Sequence, residues 1–331
     1  MAKVGVLGTG TWAMALSSVL LNKSNEVIMW GRDENQLKGL RKTGKNPKYN
    51  LSCTLKGNIK FTNCINDLEN VDFLIIAIST QYIRTVLEQL KKLNENTIII
   101  NVSKGIEIET FKLVNEIVSD FYPKNEFVVL SGPSHAEEVA DKLPTTIVSA
   151  SLNKNARERV QNLFFCDYLR VYTNEDVIGV ELTGALKNII AIAAGISDGM
   201  GYGDNAKAAL MTRGLLEIKR LGMKLGAKEM TFEGLTGVGD LIVTCTSKHS
   251  RNRRCGILIG EGFSISDAKT KIGMAVEGLS TVKAAYKLGL KHNIYMPIIE
   301  AMYKILYENI DINKLVVELM NNVPKSEVEK M

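Results

Sequence analysis

The sequence predicts an α/β fold in two parts, a doubly wound N-terminal domain followed by an all-helical C-terminal domain, and three observations carry that prediction. The first half alternates short β-branched runs with helix-like segments, the pattern of a parallel sheet covered by helices. A glycine-rich turn separates the first of these runs from the first helical segment. Past the stretch "RVYTNEDVIG" the strand signal stops, and long patterns with apolar residues three and four apart take over.

Taken in order, the predicted strands are "KVGVLG", "EVIMWG", "IKFT", "FLIIAI", "TIIINVS", "FVVLSG" and "TTIVSA". Amphipathic stretches such as "QYIRTVLEQLKKL" and "TFKLVNEIVSDF" lie between them. In the second half "NAKAALMTRGLLEIKRLGMKLG", "STVKAAYKLG" and "PIIEAMYKILYEN" read as long helices, and the polar tail "VPKSEVEKM" as frayed. The join is placed between Asp176 and Gly179, giving domains 1–178 and 179–331.

A chain of 331 residues, 45% hydrophobic and 23% charged, has the profile of an ordinary globular protein. Its net charge of +5 makes no general case for nucleic acid. Cys53, Cys64, Cys166, Cys245 and Cys255 include no C-x-x-C pair and the three histidines are scattered, so neither disulfides nor a metal site is expected. The apolar runs, such as "IIAIAAGI", are short against a bilayer, and the N-terminus enters a strand directly, so membrane insertion is not expected and a cytoplasmic location is.

"VGVLGTGTWAMALSSVL" places Gly8 and Gly10 between a strand and an apolar helix, the setting of a G-x-G-x-x-G/A dinucleotide motif, with Ala13 in the third position. Gly8 permits the tight turn, Gly10 lets the backbone approach a pyrophosphate, and Thr11 and Trp12 open the helix beside it. The first domain is therefore read as Rossmann-like and dinucleotide-binding. After the second strand, "WGRDE" offers Arg32 where an acidic side chain would hold the ribose of NAD. Arg32 favours NADPH, while Asp33, able either to take the ribose or to cap the next helix, leaves NADH use open.

Further along, Lys187 stands amid Leu186, Ile189, Ile190 and Ala191, where an ammonium is expensive without a partner or a purpose. "TGVGDLIVTCTSKHSRNRR" brings Asp240 and a compact basic run together. "NVSKGIE" places Lys104 after a parallel strand, on the side where such sheets hold ligands, and "LSGPSHAEEV" ends another. His135 is not taken as a catalytic acid, because a lone loop histidine is more often structural.

These pieces, together with "SKGIE", "ELTGALKNIIAIAAGISDGMGYGDNAKAALMTRG" and "VEG", resemble the bacterial type of NAD(P)-dependent glycerol-3-phosphate dehydrogenases, in order from residue 4 to residue 278. Ala13 stands where members often carry glycine. The resemblance implies reversible hydride transfer between NADPH, or NADH, and dihydroxyacetone phosphate, making sn-glycerol 3-phosphate for phospholipid synthesis. It implies Lys187 as proton donor and acceptor, its proton affinity lowered by desolvation. It implies Asp240 as a substrate contact that positions Lys187, and Ser250, Arg251 and Asn252 as the phosphate site, Arg251 also reaching the cofactor. Lys104 is placed at both ligands by the same resemblance, Gly132, Ser134 and Ala136 at ligand-contacting positions, and Ala275 and Glu277 at the cofactor. A homodimer is expected on general grounds. Two other readings stay open on sequence: a two-domain reductase of ketopantoate or of a 3-oxoacid, and a protein that senses NADPH without turning it over.

Overall fold

A computed structural model describes residues 1–321 and 326–327. The chain divides into two compact units, one of residues 1–107 and 112–181, the other of residues 108–111 and 182–331.

The first unit is built on one sheet of eight strands: β1 Lys3–Leu7, β2 Glu26–Trp30, β3 Ile59–Thr62, β4 Phe73–Ile76, β5 Ile98–Asn101, β6 Phe127–Ser131, β7 Thr145–Ala150 and β8 Leu169–Asn174. Their spatial order is β3-β2-β1-β4-β5-β6-β7-β8. The first six are mutually parallel, which gives the order of a dinucleotide-binding sheet with its switch point between β1 and β4. β4 and β5 are buried along their whole length, as near-continuous apolar runs must be when both faces of a sheet are covered. Alternation then divides the core in two. Val4, Val6, Ile75 and Ile100 pack on one face, and Leu7, Leu74, Ile76 and Ile99 on the other.

The helices of this unit are α1 Thr11–Asn22, α2 Glu34–Thr43, α3 Ile83–Leu87, α4 Val114–Phe121, α5 Ala136–Ala140 and α6 Lys154–Phe164. Three details differ from the sequence reading. β7 pairs antiparallel with β6, so "TTIVSA" does not continue the parallel set. β8 is a strand that the pattern did not reveal, because its burial alternates and then fades, as on an edge. In "QYIRTVLEQLKKL" only Ile83–Leu87 is α-helical, preceded by a 3₁₀ turn over Thr80–Tyr82 and followed by 3₁₀-like bonds from Gln89 N to Val86 O and Leu90 N to Leu87 O. Ile83, Val86, Leu87 and Leu90 are buried, so the apolar spacing is satisfied without a long helix.

α7, Val177–Gly199, begins in the first unit and continues into the second. It qualifies by length and composition as a membrane span, contrary to the expectation from short apolar runs, but 94% of its most apolar 18 residues are buried inside the protein. It is a core helix. The remaining helices are α8 Asp204–Lys224, α9 Glu229–Glu233, α10 Asp240–Thr246, α11 Arg251–Gly260, α12 Ile265–Ile272, α13 Glu277–His292, α14 Pro297–Tyr307 and α15 Ile312–Met320, with no strand among the described residues of this unit. The tail "VPKSEVEKM" lies outside the described residues except for Ser326 and Glu327.

One contact fixes the layout around α11. Gly195 and Gly199 on α7 face Gly256 and Gly260 on α11, four residues apart on each helix. A Cβ on Gly195 would sit 2.1 Å from Arg253 O, and one on Gly256 would sit 2.1 Å from Ile192 O. Only backbones without side chains can approach this closely.

Candidate active site

The residues singled out in the sequence fall into two sets, one in each unit. In the first unit they collect at the carboxyl ends of the parallel strands. Gly8 follows β1 with φ of 120°, and a Cβ there would meet Ala77 O at 2.5 Å, so the turn at the switch point requires glycine. Gly10 is the N-cap of α1, which has no side-chain cap and no acid in its first turn. A Cβ on Gly10 would touch nothing within 4 Å. The start of α1, with Thr11 and Trp12 partly exposed, therefore combines uncapped amides, a positive helix end and open space, a cradle that suits a pyrophosphate.

Arg32, just past β2, is exposed and lies over the ring of Tyr82 at 5.3 Å. Asp33 next to it caps α2, accepting from Asn35 N at 2.9 Å and Gln36 N at 3.3 Å, with Gln36 Nε2 at 2.8 Å. Those bonds hold the Asp33 carboxyl below its ordinary pKa and commit it to the helix. Of the two, Arg32 is the side chain left for a ribose substituent. Lys104, after β5, reaches Gly132 O at 3.4 Å, and Ser134 Oγ donates to the same carbonyl at 2.9 Å. Ala136 opens α5 nearby in sequence, with His135 as its N-cap residue but no side-chain capping bond. Lys104, Gly132 and Ser134 thus meet, joined at one backbone oxygen.

In the second unit Lys187 is buried and donates to the carboxylate of Asp240, which is 1% exposed, and to Thr244 Oγ1 at 2.5 Å. Thr244 Oγ1 in turn lies 2.6 Å from Asp240 O. Asp240 begins α10 directly after a π-helical turn, Leu235–Gly239, a rare geometry that recurs at functional sites. The "TGVGD" stretch makes this turn, since a Cβ on Gly237 would lie 1.9 Å from Phe232 O. The ammonium is therefore not alone in an apolar helix, as the sequence suggested. The pair stays buried because each charge satisfies the other.

Ser250 caps α11, accepting from Arg253 N at 3.2 Å. Asn252 joins α11 to its neighbours: its Nδ2 donates to Asn188 Oδ1 at 2.9 Å and its Oδ1 accepts from Gly278 N at 3.0 Å. The basic run separates into roles. Arg253 is bound to Asp198, at 2.8 and 2.6 Å, and Asp198 also pairs with Lys207 at 2.7 Å. Arg251, at the first position of α11 and partly exposed, forms no ion pair among the described residues. Ala275 is exposed ahead of α13, and Glu277 is its first residue.

Thr244 and Asn188 were not read from the sequence. Thr244 lies one helical turn from Asp240 and Asn188 is adjacent to Lys187, so both were within reach of a spacing argument. A cavity of about 560 Å³ between α7, α8, α14 and α15 is lined by Ile196, Leu210, Ile298 and Leu315 and by none of these residues.

Models of two successive domains match the chain: the N-terminal part of NAD-dependent glycerol-3-phosphate dehydrogenase over residues 3–157, and its C-terminal part over residues 176–317. Glycerol-3-phosphate dehydrogenase [NAD(P)+] of Macrococcus caseolyticus is 48% identical over 99% of this chain and 100% of its own length. That of Clostridium botulinum Eklund 17B is 49% identical over 99% and 100%. The crystal structure of glycerol-3-phosphate dehydrogenase from Coxiella burnetii superimposes with a TM-score of 0.93 at 37% identity, covering 97% of this chain and 99% of that one. The chain belongs to the NAD(P)-dependent glycerol-3-phosphate dehydrogenase family.

Proposed function

We propose that this protein reduces dihydroxyacetone phosphate reversibly to sn-glycerol 3-phosphate with NADPH, or NADH, and so supplies the backbone of glycerophospholipids. The buried Lys187–Asp240 pair carries the reading, because a sensor or scaffold has no use for a proton source held this way. When bound, the nicotinamide supplies the hydride. Lys187 Nζ gives a proton to the oxygen of the former ketone, and Asp240 and Thr244 aim that ammonium and accept its remaining N–H bonds. In the oxidative direction the neutral amine takes the proton back.

Residues 179–331 form the substrate and catalytic domain in this reading. Arg251, Ser250 and Asn252 at the start of α11 hold the phosphate dianion: a guanidinium fork, a hydroxyl and an amide match its oxygens, and the helix end adds its dipole. Residues 1–178 form the dinucleotide-binding domain. The amides of α1 beside Gly10, Thr11 and Trp12 hold the pyrophosphate, and Arg32 over Tyr82 takes a 2′-phosphate, which favours NADPH. Lys104, Gly132, Ser134, Ala136, Ala275 and Glu277 complete the contacts with cofactor and substrate. The enzyme works as a cytoplasmic homodimer.

The test is oxidation of NADPH followed by absorbance with dihydroxyacetone phosphate, ketopantoate, a 3-oxoacid or no acceptor. Turnover with dihydroxyacetone phosphate alone is expected. Turnover with ketopantoate instead, or binding of NADPH without turnover under every condition, would sink the reading.

A further inference from the structure

We propose that Glu181 is a positioning residue for Lys104, its carboxyl group fixing, through Asn101, the turn from which the Lys104 loop leaves the sheet. This rests on the reading of Lys104 as a ligand contact. Glu181 is an anomaly in "VIGVELTGAL": a carboxyl group, 5% exposed, in the apolar opening of α7. Its hydrogen bonds show what it holds. Glu181 Oε1 accepts from Asn101 Nδ2 at 3.0 Å, and both carboxylate oxygens lie 3.3 Å from Asn115 N at the start of α4.

Asn101 is the last residue of β5 and is itself buried. Its side chain closes a tight turn on Ser103, with Oδ1 accepting from Ser103 N at 2.8 Å and Nδ2 donating to Ser103 O at 3.2 Å. The Ser103 N–H therefore decides which way the amide faces, and the second Nδ2 hydrogen is left pointing at Glu181. Ser103 Oγ ties the same turn to the end of β4, at 3.1 Å from Ile76 O and 2.6 Å from Ile78 O. Lys104 is the next residue. A short series of bonds thus runs from Glu181 through Asn101 and Ser103 to the backbone that aims the Lys104 ammonium at Gly132 O. Without an acceptor at position 181 the Asn101 amide keeps a buried hydrogen unsatisfied, and the turn can relieve it only by shifting. Burial, with Glu116 adding to it, raises the Glu181 pKa to about 8, so the group remains an acceptor through its carbonyl oxygen when protonated.

The experiment compares Glu181→Ala, Glu181→Gln and Lys104→Met in steady-state assays with NADPH and dihydroxyacetone phosphate, at a temperature well below each variant's melting point. Misplacing a binding group by a fraction of an ångström is expected to raise KM in Glu181→Ala about tenfold, with kcat within about threefold of the parent. Glu181→Gln, which keeps one acceptor, is expected to fall between. Adding Glu181→Gln to Lys104→Met should raise KM no further, because both changes act at one ammonium. Unchanged KM in both Glu181 variants beside an impaired Lys104→Met, or fully additive losses in the double variant, overturns the positioning role alone. Unchanged KM in Lys104→Met overturns the reading of Lys104 on which it rests. Should Glu181→Ala fail to fold, Asn101→Ala breaks the same link with Glu181 in place, and a normal KM there is equally fatal.

Discussion

At the scale of single residues, the partner of Lys187 changes what its removal should do. In a purely apolar site, Lys187→Met would leave stability unchanged or raise it, because a thioether suits such a site. With Asp240 buried opposite, the same change removes the ammonium that the carboxylate is paired with, and a broken buried pair costs about 3 to 5 kcal/mol. We therefore expect Lys187→Met to lower kcat by about 10² to 10⁴ and to lower Tm as well. Lys187→Met with Asp240→Leu should recover stability but not turnover, and a kcat within a few-fold of normal in folded Lys187→Met would exclude it as proton donor. The basic run makes a second comparison. Arg251→Ala should raise KM for dihydroxyacetone phosphate and lower kcat/KM by about 1.5 to 3 kcal/mol, the worth of a hydrogen bond to a charged group, with little change in Tm. Arg253→Ala should lower Tm instead, because it breaks the two contacts with the partly buried Asp198. If the two behave alike, the division of roles along α11 is wrong. For the cofactor, Arg32→Asp should weaken NADPH far more than NADH, since it removes a cation and adds repulsion; equal losses measured by titration would dismiss Arg32 as the phosphate partner.

At the scale of elements, the proposed function puts the substrate end of the site at the crossing of α7 and α11, because Lys187 and Asn188 sit on one helix and Ser250, Arg251 and Asn252 open the other. A methyl group on Gly195 would meet Arg253 O at 2.1 Å, so Gly195→Ala forces the helices apart. Overpacking of this kind costs about 1 to 3 kcal/mol and should move the Asn188–Asn252 bond with it. The expected result is a lower Tm with a raised KM for dihydroxyacetone phosphate and nearly normal NADPH affinity. Equal damage to both ligands in the assay would mean that the crossing supports the fold without tuning the site. Much of this element structure was legible beforehand. The seven strands named from β-branched runs all lie in the sheet, and Gly8 of the first turn falls where φ and close approach demand a glycine. What escaped was set by partners distant in sequence. "LRVYTN" is half exposed and took its strand from pairing with β7, while the antiparallel turn of β7 depends on β6. The Lys187–Asp240 bond spans 53 residues, so no local pattern could announce it and only the family resemblance brought the two residues together in advance.

At the scale of the whole molecule, two buried carboxyls with raised pKa values make stability depend on pH. Burial raises Glu181 to about 8 and Glu217 to about 7, from an ordinary 4.5. Glu217 accepts from Ile298 N at 2.7 Å and Ile299 N at 3.0 Å at the start of α14, and Arg213 and Arg220 favour its charge, yet desolvation outweighs them. Glu116 opposes ionisation of Glu181 further. Between pH 4.5 and about 7 to 8 the folded chain therefore holds protons at these sites that the unfolded chain has released. Stability must fall as pH rises through that window, since the slope follows the protons bound unfolded minus those bound folded. The lowered acids, Asp33, Asp67 and Asp120, act in the opposite sense and only toward the acid side of their ordinary 3.8, so they leave this window untouched. Thermal melts from pH 5 to pH 8.5 should accordingly show Tm declining with pH. Glu217→Gln should flatten the part of the decline between pH 5 and about 7, because an amide has no proton to lose, and Glu181→Gln the part reaching to about 8. Slopes unchanged in both variants would show that these carboxyls ionise freely in the folded protein and that their burial is not what sets its response to pH.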